Sequence, residues 1–139
     1  MSKVLDTISA TNVGGRNGKG KSSDGKVEIQ FSLAKALGGK GEGATPEHLF
    51  ALGYSACFAS AMQFVAGQKK IHLPADFSIT AKVDLGQTEE SKFQLAVELT
   101  AKAPGLEKAQ LEELLKISHT VCPYSRAIEG NVDVKLSAA

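Results

Sequence analysis

A long apolar stretch between Thr45 and Gly67 constrains the fold more than any other part of the chain. Thr45 is a favourable N-cap, Pro46 fits the first helical position, and Glu47 adds negative charge near the positive end of a helix. We predict a helix from Thr45 to about Ala66, with Gly67 as its stop. Because the stretch is apolar around most of its circumference, we expect a buried central helix that other elements cover.

Strand-like patterns flank this helix on both sides. Before it, a short segment at Lys3–Ala10 and an alternating segment at Val27–Leu33 enclose a glycine-rich stretch at residues 12–25, which predicts a loop. After it, residues 77–85 and 93–101 alternate apolar and polar side chains. This alternation predicts an antiparallel hairpin with one wet face.

The last third of the chain predicts a second helix, a short helical turn and a final strand. The helix runs from Pro104-Gly105 to about Thr120, the turn from Pro123 to about Glu129, and the strand over 132–136. One apolar face of the helix and its end carries Leu111, Leu114, Leu115, Ser118 and Cys122. The whole order predicts an α+β fold in which curved antiparallel sheets enclose or flank the buried helix.

Length and charge limit the number of domains and the classes of partner. The 139 residues, of which 42% are hydrophobic, suit a single domain over residues 1–139 with one core. The net charge of +1 and the 6% of aromatic residues give no basic or base-stacking surface for nucleic acid. No stretch of about 18 apolar residues lacks polar breaks, and the N-terminus lacks the apolar segment of a signal peptide. We therefore expect a cytoplasmic protein without a membrane partner, in a compartment where disulfides are transient.

The chain has two cysteines in different settings. Cys57 lies inside the apolar helix, about three turns past its start and beyond the reach of the helix dipole. Burial raises the pKa of a thiol, so Cys57 needs a cation from elsewhere to become a thiolate. Cys122 lies at a helix boundary before a proline. Taken alone, Cys57 fits an inert core residue and Cys122 fits packing or reactivity equally well.

Other chemistries have weaker support. A zinc site needs four protein ligands, and Cys57, His48, His72 and His119 show no paired spacing, so we expect no metal. A cysteine hydrolase needs a histidine near Cys57, and none lies within a helical turn of it. A redox sensor that uses the cysteine pair as a switch stays open, although no DNA-binding helix pair or basic face accompanies it.

Three separated motifs stand out: the helical segment Thr45–Phe58, the segment Val121–Ala127 followed by 130–134, and the glycine-rich loop around Arg16 at 14–18 with 23–25. Together they resemble the organic hydroperoxide resistance (Ohr) proteins of the OsmC/Ohr superfamily, in which the loop is an arginine loop. The resemblance covers nearly the whole chain and includes both cysteines in order. The string Cys-Pro-Tyr-Ser that begins at Cys122 is similar to the Ohr branch more than to the OsmC branch.

This resemblance implies a cysteine-based peroxidase without a metal or an organic cofactor. Cys57 matches the peroxidatic cysteine, Cys122 the resolving cysteine, Arg16 the arginine that holds the thiolate, and Glu47 the glutamate that holds that arginine. The family forms an intertwined homodimer with sites at the subunit interface. It reduces organic hydroperoxides, including fatty-acid hydroperoxides, through a sulfenic acid and a disulfide. A dithiol, usually on a lipoylated protein, then reduces the disulfide.

Helix geometry adds a constraint to the expected site. Glu47 and Cys57 are ten residues apart on one helix, which corresponds to about 15 Å of rise and roughly 80° of rotation. We do not expect them to meet directly within one copy. If both act in one site, either Glu47 comes from the partner chain or Arg16 bridges the gap.

Overall fold

The computed structural model describes all 139 residues and confirms the α+β class. The chain divides into two compact units, Met1–Leu49 and Phe50–Ala139. The single domain over residues 1–139 stays a prediction.

The first unit contains a small antiparallel sheet. Its strands are β1 (Ala10–Val13), β2 (Lys19–Ser22) and β3 (Glu28–Gln30), in that order across the sheet. A 3-10 turn at Gly15–Asn17 joins β1 to β2, and a second 3-10 turn at Lys35–Leu37 follows β3. The β1–β2 pairing places the turn that carries Arg16 at one end of the sheet.

Two predictions for this unit were wrong. The predicted strand at Lys3–Ala10 is absent except for its last residue, and β2 at Lys19–Ser22 lies inside the stretch predicted as a loop. Both strands form through backbone pairing. Because β1 exposes all four of its residues, no apolar alternation in the sequence marks it. The predicted strand at Val27–Leu33 is shorter than expected, because after β3 the chain makes only a single parallel bridge between Phe31 and Ala44.

Helix α1 (Pro46–Gln68) begins where the sequence predicts. The His48 N–H donates to Thr45 Oγ1 at 3.3 Å, and the Thr45 N–H donates to His48 Nδ1 at 3.0 Å. This reciprocal pair resembles a capping box in which the imidazole replaces the usual carboxylate. The predicted end was wrong, since Gly67 lies within the helix. The chain leaves the helix after Gln68 and reaches Lys70 with a φ of 55°.

The sequence suggested that helix α1 is buried on all sides. In the single chain it is buried on only part of its surface. One face is fully covered, and it carries Tyr54, Phe58, Ala61, Met62, Val65 and Ala66. Elsewhere on the helix Leu52 is 69% exposed and Phe64 is 57% exposed. By length and composition α1 could also cross a membrane, a property that core helices share. The single chain therefore leaves two large apolar side chains of α1 uncovered.

The second unit contains the larger sheet. Strands β4 (Ser78–Gln87) and β5 (Phe93–Lys102) form the predicted antiparallel hairpin, in which Val83 faces Val97. Strand β6 (Asp133–Ala138) pairs with β5 in parallel. The expectation of antiparallel pairing throughout was wrong for this pair. The connection from β5 to β6 is a helical crossover, which parallel neighbours require.

That crossover consists of α2 (Lys108–Val121) and α3 (Pro123–Ile128). Helix α2 begins later than predicted because Pro104 and Gly105 form a turn, with Gly105 at a φ of 87°. The predicted apolar face of α2 is confirmed. All five of its residues are buried, namely Leu111, Leu114, Leu115, Ser118 and Cys122. The four apolar members, Leu111, Leu114, Leu115 and Cys122, join Phe58 and Leu99 in one hydrophobic core, which holds Cys122 in place.

Candidate active site

The structure brings the two cysteines together. The Sγ atoms of Cys57 and Cys122 lie 3.5 Å apart, and both thiols are free. A disulfide bond is about 2.05 Å long, so closing it requires an approach of roughly 1.5 Å. Cys122 is fully buried, whereas Cys57 is partly exposed. The pair therefore has one sulfur that solvent can reach and one that it cannot.

Cys122 lies where one helix ends and the next begins. Its N–H donates to the Ser118 carbonyl at 2.9 Å, and its own carbonyl accepts from the Arg126 N–H at 3.0 Å. Between these two bonds its backbone is extended, with a φ of −58° and a ψ of 124°. Pro123 cannot continue α2 but fits the first position of α3. The sequence Cys-Pro thus turns the chain and directs the sulfur into the core.

The surroundings of Cys57 favour its neutral form. Burial raises the pKa of the Cys57 thiol, and a hydrogen bond from the Tyr124 backbone partly opposes this rise. The direction agrees with the expectation from sequence. None of the three histidines hydrogen-bonds either sulfur, because the only side-chain partner of each sulfur is the other sulfur. The cysteine–histidine pair of a hydrolase is therefore absent.

Arg16 and Glu47 form a bidentate ion pair. Arg16 Nη2 donates to Glu47 Oε1 at 2.7 Å and Nη1 donates to Oε2 at 3.0 Å. The hydrogen bonds from Arg16 lower the pKa of Glu47, and those to Glu47 raise the pKa of Arg16. The side chains are 36% and 18% exposed, so the guanidinium stays charged and partly accessible. Both residues belong to one chain, so this pair needs no Glu47 from a partner.

The turn that carries Arg16 is shaped by its neighbours. Gly14 has a φ of 92°, and Gly18 approaches the Val13 carbonyl so closely that a Cβ would overlap it. The Asn12 side chain accepts from the Gly15 N–H at 2.7 Å. The glycines of this loop therefore permit a tight turn.

Sequence reasoning missed a chain of three side chains beside the cysteines. Tyr54 Oη and Ser125 Oγ are 2.7 Å apart, and Ser125 Oγ and His119 Nδ1 are 2.8 Å apart. The sequence alone places Ser125 in the Cys-Pro-Tyr-Ser string and gives His119 only as a histidine without paired spacing. The signal available was spacing, because each residue stands three positions from a cysteine.

Aromatic side chains surround Tyr54. Tyr54 packs edge-on against Phe50 and Phe58, with ring centroids 5.8 and 6.3 Å away, and Tyr124 lies 5.8 Å from Tyr54. Phe58 and Met62 are fully buried. The structure brings no three metal-binding side chains together.

Known proteins are similar to this chain in sequence and in fold. A family model described as OsmC-like protein matches residues 39–137. The organic hydroperoxide resistance protein of Xanthomonas axonopodis pv. citri is 47% identical over 138 residues, which is 99% of this chain and 96% of that protein. A crystal structure of an organic hydroperoxide resistance protein from Legionella pneumophila is 47% identical, covers 99% of both chains and has a TM-score of 0.93. The crystal structure of OhrB from Bacillus subtilis is 36% identical and has a TM-score of 0.88. The match covers 98% of this chain and 100% of the OhrB chain.

The fold and the matched segment define the class as OsmC-like α+β proteins. The chain belongs to the OsmC/Ohr superfamily and, within it, to the organic hydroperoxide resistance proteins. The resemblance seen in the three sequence motifs is thereby confirmed. Membership of this family is consistent with a role in peroxide detoxification and the oxidative stress response.

Proposed function

We propose that this protein is a thiol-dependent peroxidase that reduces organic hydroperoxides to alcohols. The observation that carries the proposal is the 3.5 Å separation of the Cys57 and Cys122 sulfurs. A partly exposed thiol beside a buried one suits a cycle in which the outer sulfur meets the oxidant and the inner sulfur resolves the product. The family membership supports the choice of a peroxide as that oxidant.

The first step oxidises Cys57. Its thiolate attacks the terminal oxygen of the hydroperoxide, the O–O bond breaks, and the alkoxide takes a proton and leaves as an alcohol. The sulfur retains the other oxygen as a sulfenic acid. Cys122 then attacks this sulfur, the S–O bond breaks, and the hydroxyl leaves as water with the proton of the Cys122 thiol. The product is a Cys57–Cys122 disulfide.

Arg16 is proposed to stabilise the Cys57 thiolate and the departing oxygen, with Glu47 holding the guanidinium. Burial raises the pKa of Cys57, so a positive charge is needed to favour the anion. The bidentate pair with Glu47 supports the role, because it orients a charged and partly exposed guanidinium. The assignment of Arg16 to Cys57 itself rests on the family resemblance.

The proposed substrates are organic hydroperoxides, including those of fatty acids, and the proposed reductant is a dithiol such as a lipoylated protein. The aromatic residues around the thiols, Phe50, Tyr54, Phe58 and Tyr124, support an apolar substrate. Exchange between the dithiol and the protein disulfide restores both thiols. We also propose that the protein is cytoplasmic and has no membrane or nucleic-acid partner.

Steady-state turnover of tert-butyl hydroperoxide with dihydrolipoamide tests the function. Wild type should turn over and should prefer this substrate to hydrogen peroxide. Cys57→Ser should be inactive, and Cys122→Ser should be oxidised once and then stall as a sulfenic or sulfinic acid. Turnover retained in Cys57→Ser would reject the proposal. Serine removes only the sulfur chemistry at each position, so the two variants are controls for each other.

We also propose that the protein is a homodimer with its sites at the interface. Leu52 and Phe64 of α1 support it, because they end one exposed i, i+4 row (Leu52, Ala56, Ser60 and Phe64) and leave large apolar side chains available to a second copy. Sedimentation of wild type should give twice the monomer mass of 14.6 kDa. Phe64→Glu should shift the protein towards monomer, whereas Phe93→Glu, at a residue 69% exposed on β5, should not. A monomeric wild type would reject the dimer.

A further inference from the structure

The Tyr54–Ser125–His119 chain joins the elements that carry the two cysteines. Tyr54 lies three residues before Cys57 on α1, and its hydroxyl bonds Ser125 on α3 at 2.7 Å. Ser125 in turn bonds His119 on α2 at 2.8 Å. Ser125 and His119 lie three residues to either side of Cys122. A single hydroxyl thus ties α1, α2 and α3 together around the thiol pair.

The burial of the three side chains determines which of them donate hydrogen bonds and which accept them. Tyr54 is fully buried and Ser125 is 2% exposed, whereas His119 is partly exposed. When His119 Nδ1 carries no proton, Tyr54 donates to Ser125 and Ser125 donates to His119, so every buried hydroxyl proton has an acceptor. If Nδ1 carries a proton, it donates to Ser125 Oγ, and one of the two buried hydroxyl protons, that of Tyr54 or that of Ser125, has no acceptor. The first arrangement is favoured because an unpaired buried donor is costly.

We infer that Tyr54, Ser125 and His119 are positioning residues that hold the Cys122 sulfur in line for attack on oxidised Cys57. Cys122 stands at a break between two helices, and its only backbone bonds are to Ser118 and Arg126. Ser125 Oγ, on α3, hydrogen-bonds one side chain of α1 and one side chain of α2. Without it, the helix break can open and the sulfurs can separate. The inference deepens the proposed function and rests on it for its place in the catalytic cycle.

The closing reaction can be tested without any peroxide. An aromatic disulfide such as 5,5′-dithiobis(2-nitrobenzoate) reacts with the Cys57 thiolate, forms a mixed disulfide and releases one thionitrobenzoate. Cys122 then attacks the Cys57 sulfur, the mixed disulfide breaks, and the second thionitrobenzoate leaves. The rate of the second release measures the positioning of Cys122. Failure of peroxidase turnover leaves this rate measurable, so the two proposals fail separately.

Ser125→Ala and Tyr54→Phe should slow the second release by about tenfold to a hundredfold, since a displacement near 1 Å from reacting geometry has effects of that size. The first release, which involves Cys57 alone, should change far less than the second. The double variant should be no slower than Ser125→Ala, because both substitutions break the same chain. If Ser125→Ala does not fold, Tyr54→Phe removes a single oxygen and decides alone.

His119 provides a rescue that a purely structural role would not show. His119→Asn places an amide oxygen near the position of Nδ1 and should retain the wild-type rate, whereas His119→Leu should be slow. Thr120→Ala is the matched control, because its hydroxyl bonds only the Ile117 carbonyl and lies outside the chain. Circular dichroism checks the fold of every variant. Wild-type second release in Tyr54→Phe, or equal rates in His119→Asn and His119→Leu, would overturn the inference.

Discussion

Cys57 and Cys122 stand 65 residues apart in the chain, and their sulfurs are 3.5 Å apart in the fold. Helix α1 supplies one sulfur, and the break between α2 and α3 supplies the other. Because Cys122 is part of the hydrophobic core, the approach of the sulfurs depends on core packing as well as on local turns.

Oxidation of the pair should stabilise the fold. A disulfide that closes a loop of this length is worth about 4 kcal/mol in the chain-entropy model, less any strain. We expect urea unfolding of the oxidised wild type to have a higher midpoint than that of the reduced protein. Cys122→Ser is the control, and its midpoint should not change after the same treatment. An oxidised wild type that is less stable would show that closure distorts the core.

The charge of Arg16 should be visible at Cys57. We expect Arg16→Ala to raise the apparent pKa of Cys57, because removal of the proposed cation leaves the effect of burial unopposed. The rate of iodoacetamide alkylation against pH, followed on Cys57 by mass spectrometry, measures this pKa. Arg126→Ala is the matched control, since Arg126 is exposed and forms no ion pair. An unchanged profile in Arg16→Ala would mean that another group activates the sulfur.

Much of the fold could be predicted from local patterns. The cap at Thr45 and the alternation in β4 and β5 identified elements whose signals lie within a few residues. The parallel pairing of β6 could not be predicted, because strand direction depends on the crossover between β5 and β6 and not on side-chain alternation. Strand β2 was missed because Lys19–Ser22 carries no apolar alternation and pairs through its backbone.

For a similar reason, the residues of the candidate site could be predicted but the contacts between them could not. Resemblance selected Cys57, Cys122, Arg16 and Glu47, and the structure arranges them as a thiol pair and an ion pair. Spacing alone gave neither distance, because contacts over 65 and 31 residues depend on the tertiary fold. The bond from Ser125 to Tyr54 spans 71 residues and was not foreseen.

Glu47 should titrate below its usual range. Its pKa is lowered chiefly by the hydrogen bonds from Arg16, so the folded-state value lies below the unfolded one. The ion pair therefore stabilises the fold at pH above the unfolded pKa of about 4.3, and this contribution is lost as the pH falls through the lower folded value. Carboxyl carbon NMR should show the low pKa in wild type and an ordinary one in Arg16→Ala. The stability effect should stay below about 1 kcal/mol, because the pair is partly exposed.

Phe58 should contribute more to stability than any exposed phenylalanine. Its side chain is fully buried on α1, next to the cysteine, and packs against Tyr54. We expect Phe58→Ala to reduce the free energy of unfolding by about 3–5 kcal/mol, through lost burial and the cavity left behind. Phe93→Ala is the matched control, and at 69% exposure it should cost no more than about 0.5 kcal/mol. Urea denaturation of the reduced proteins measures both. A loss in Phe58→Ala as small as that in Phe93→Ala would mean that the core around the thiols is not packed as described.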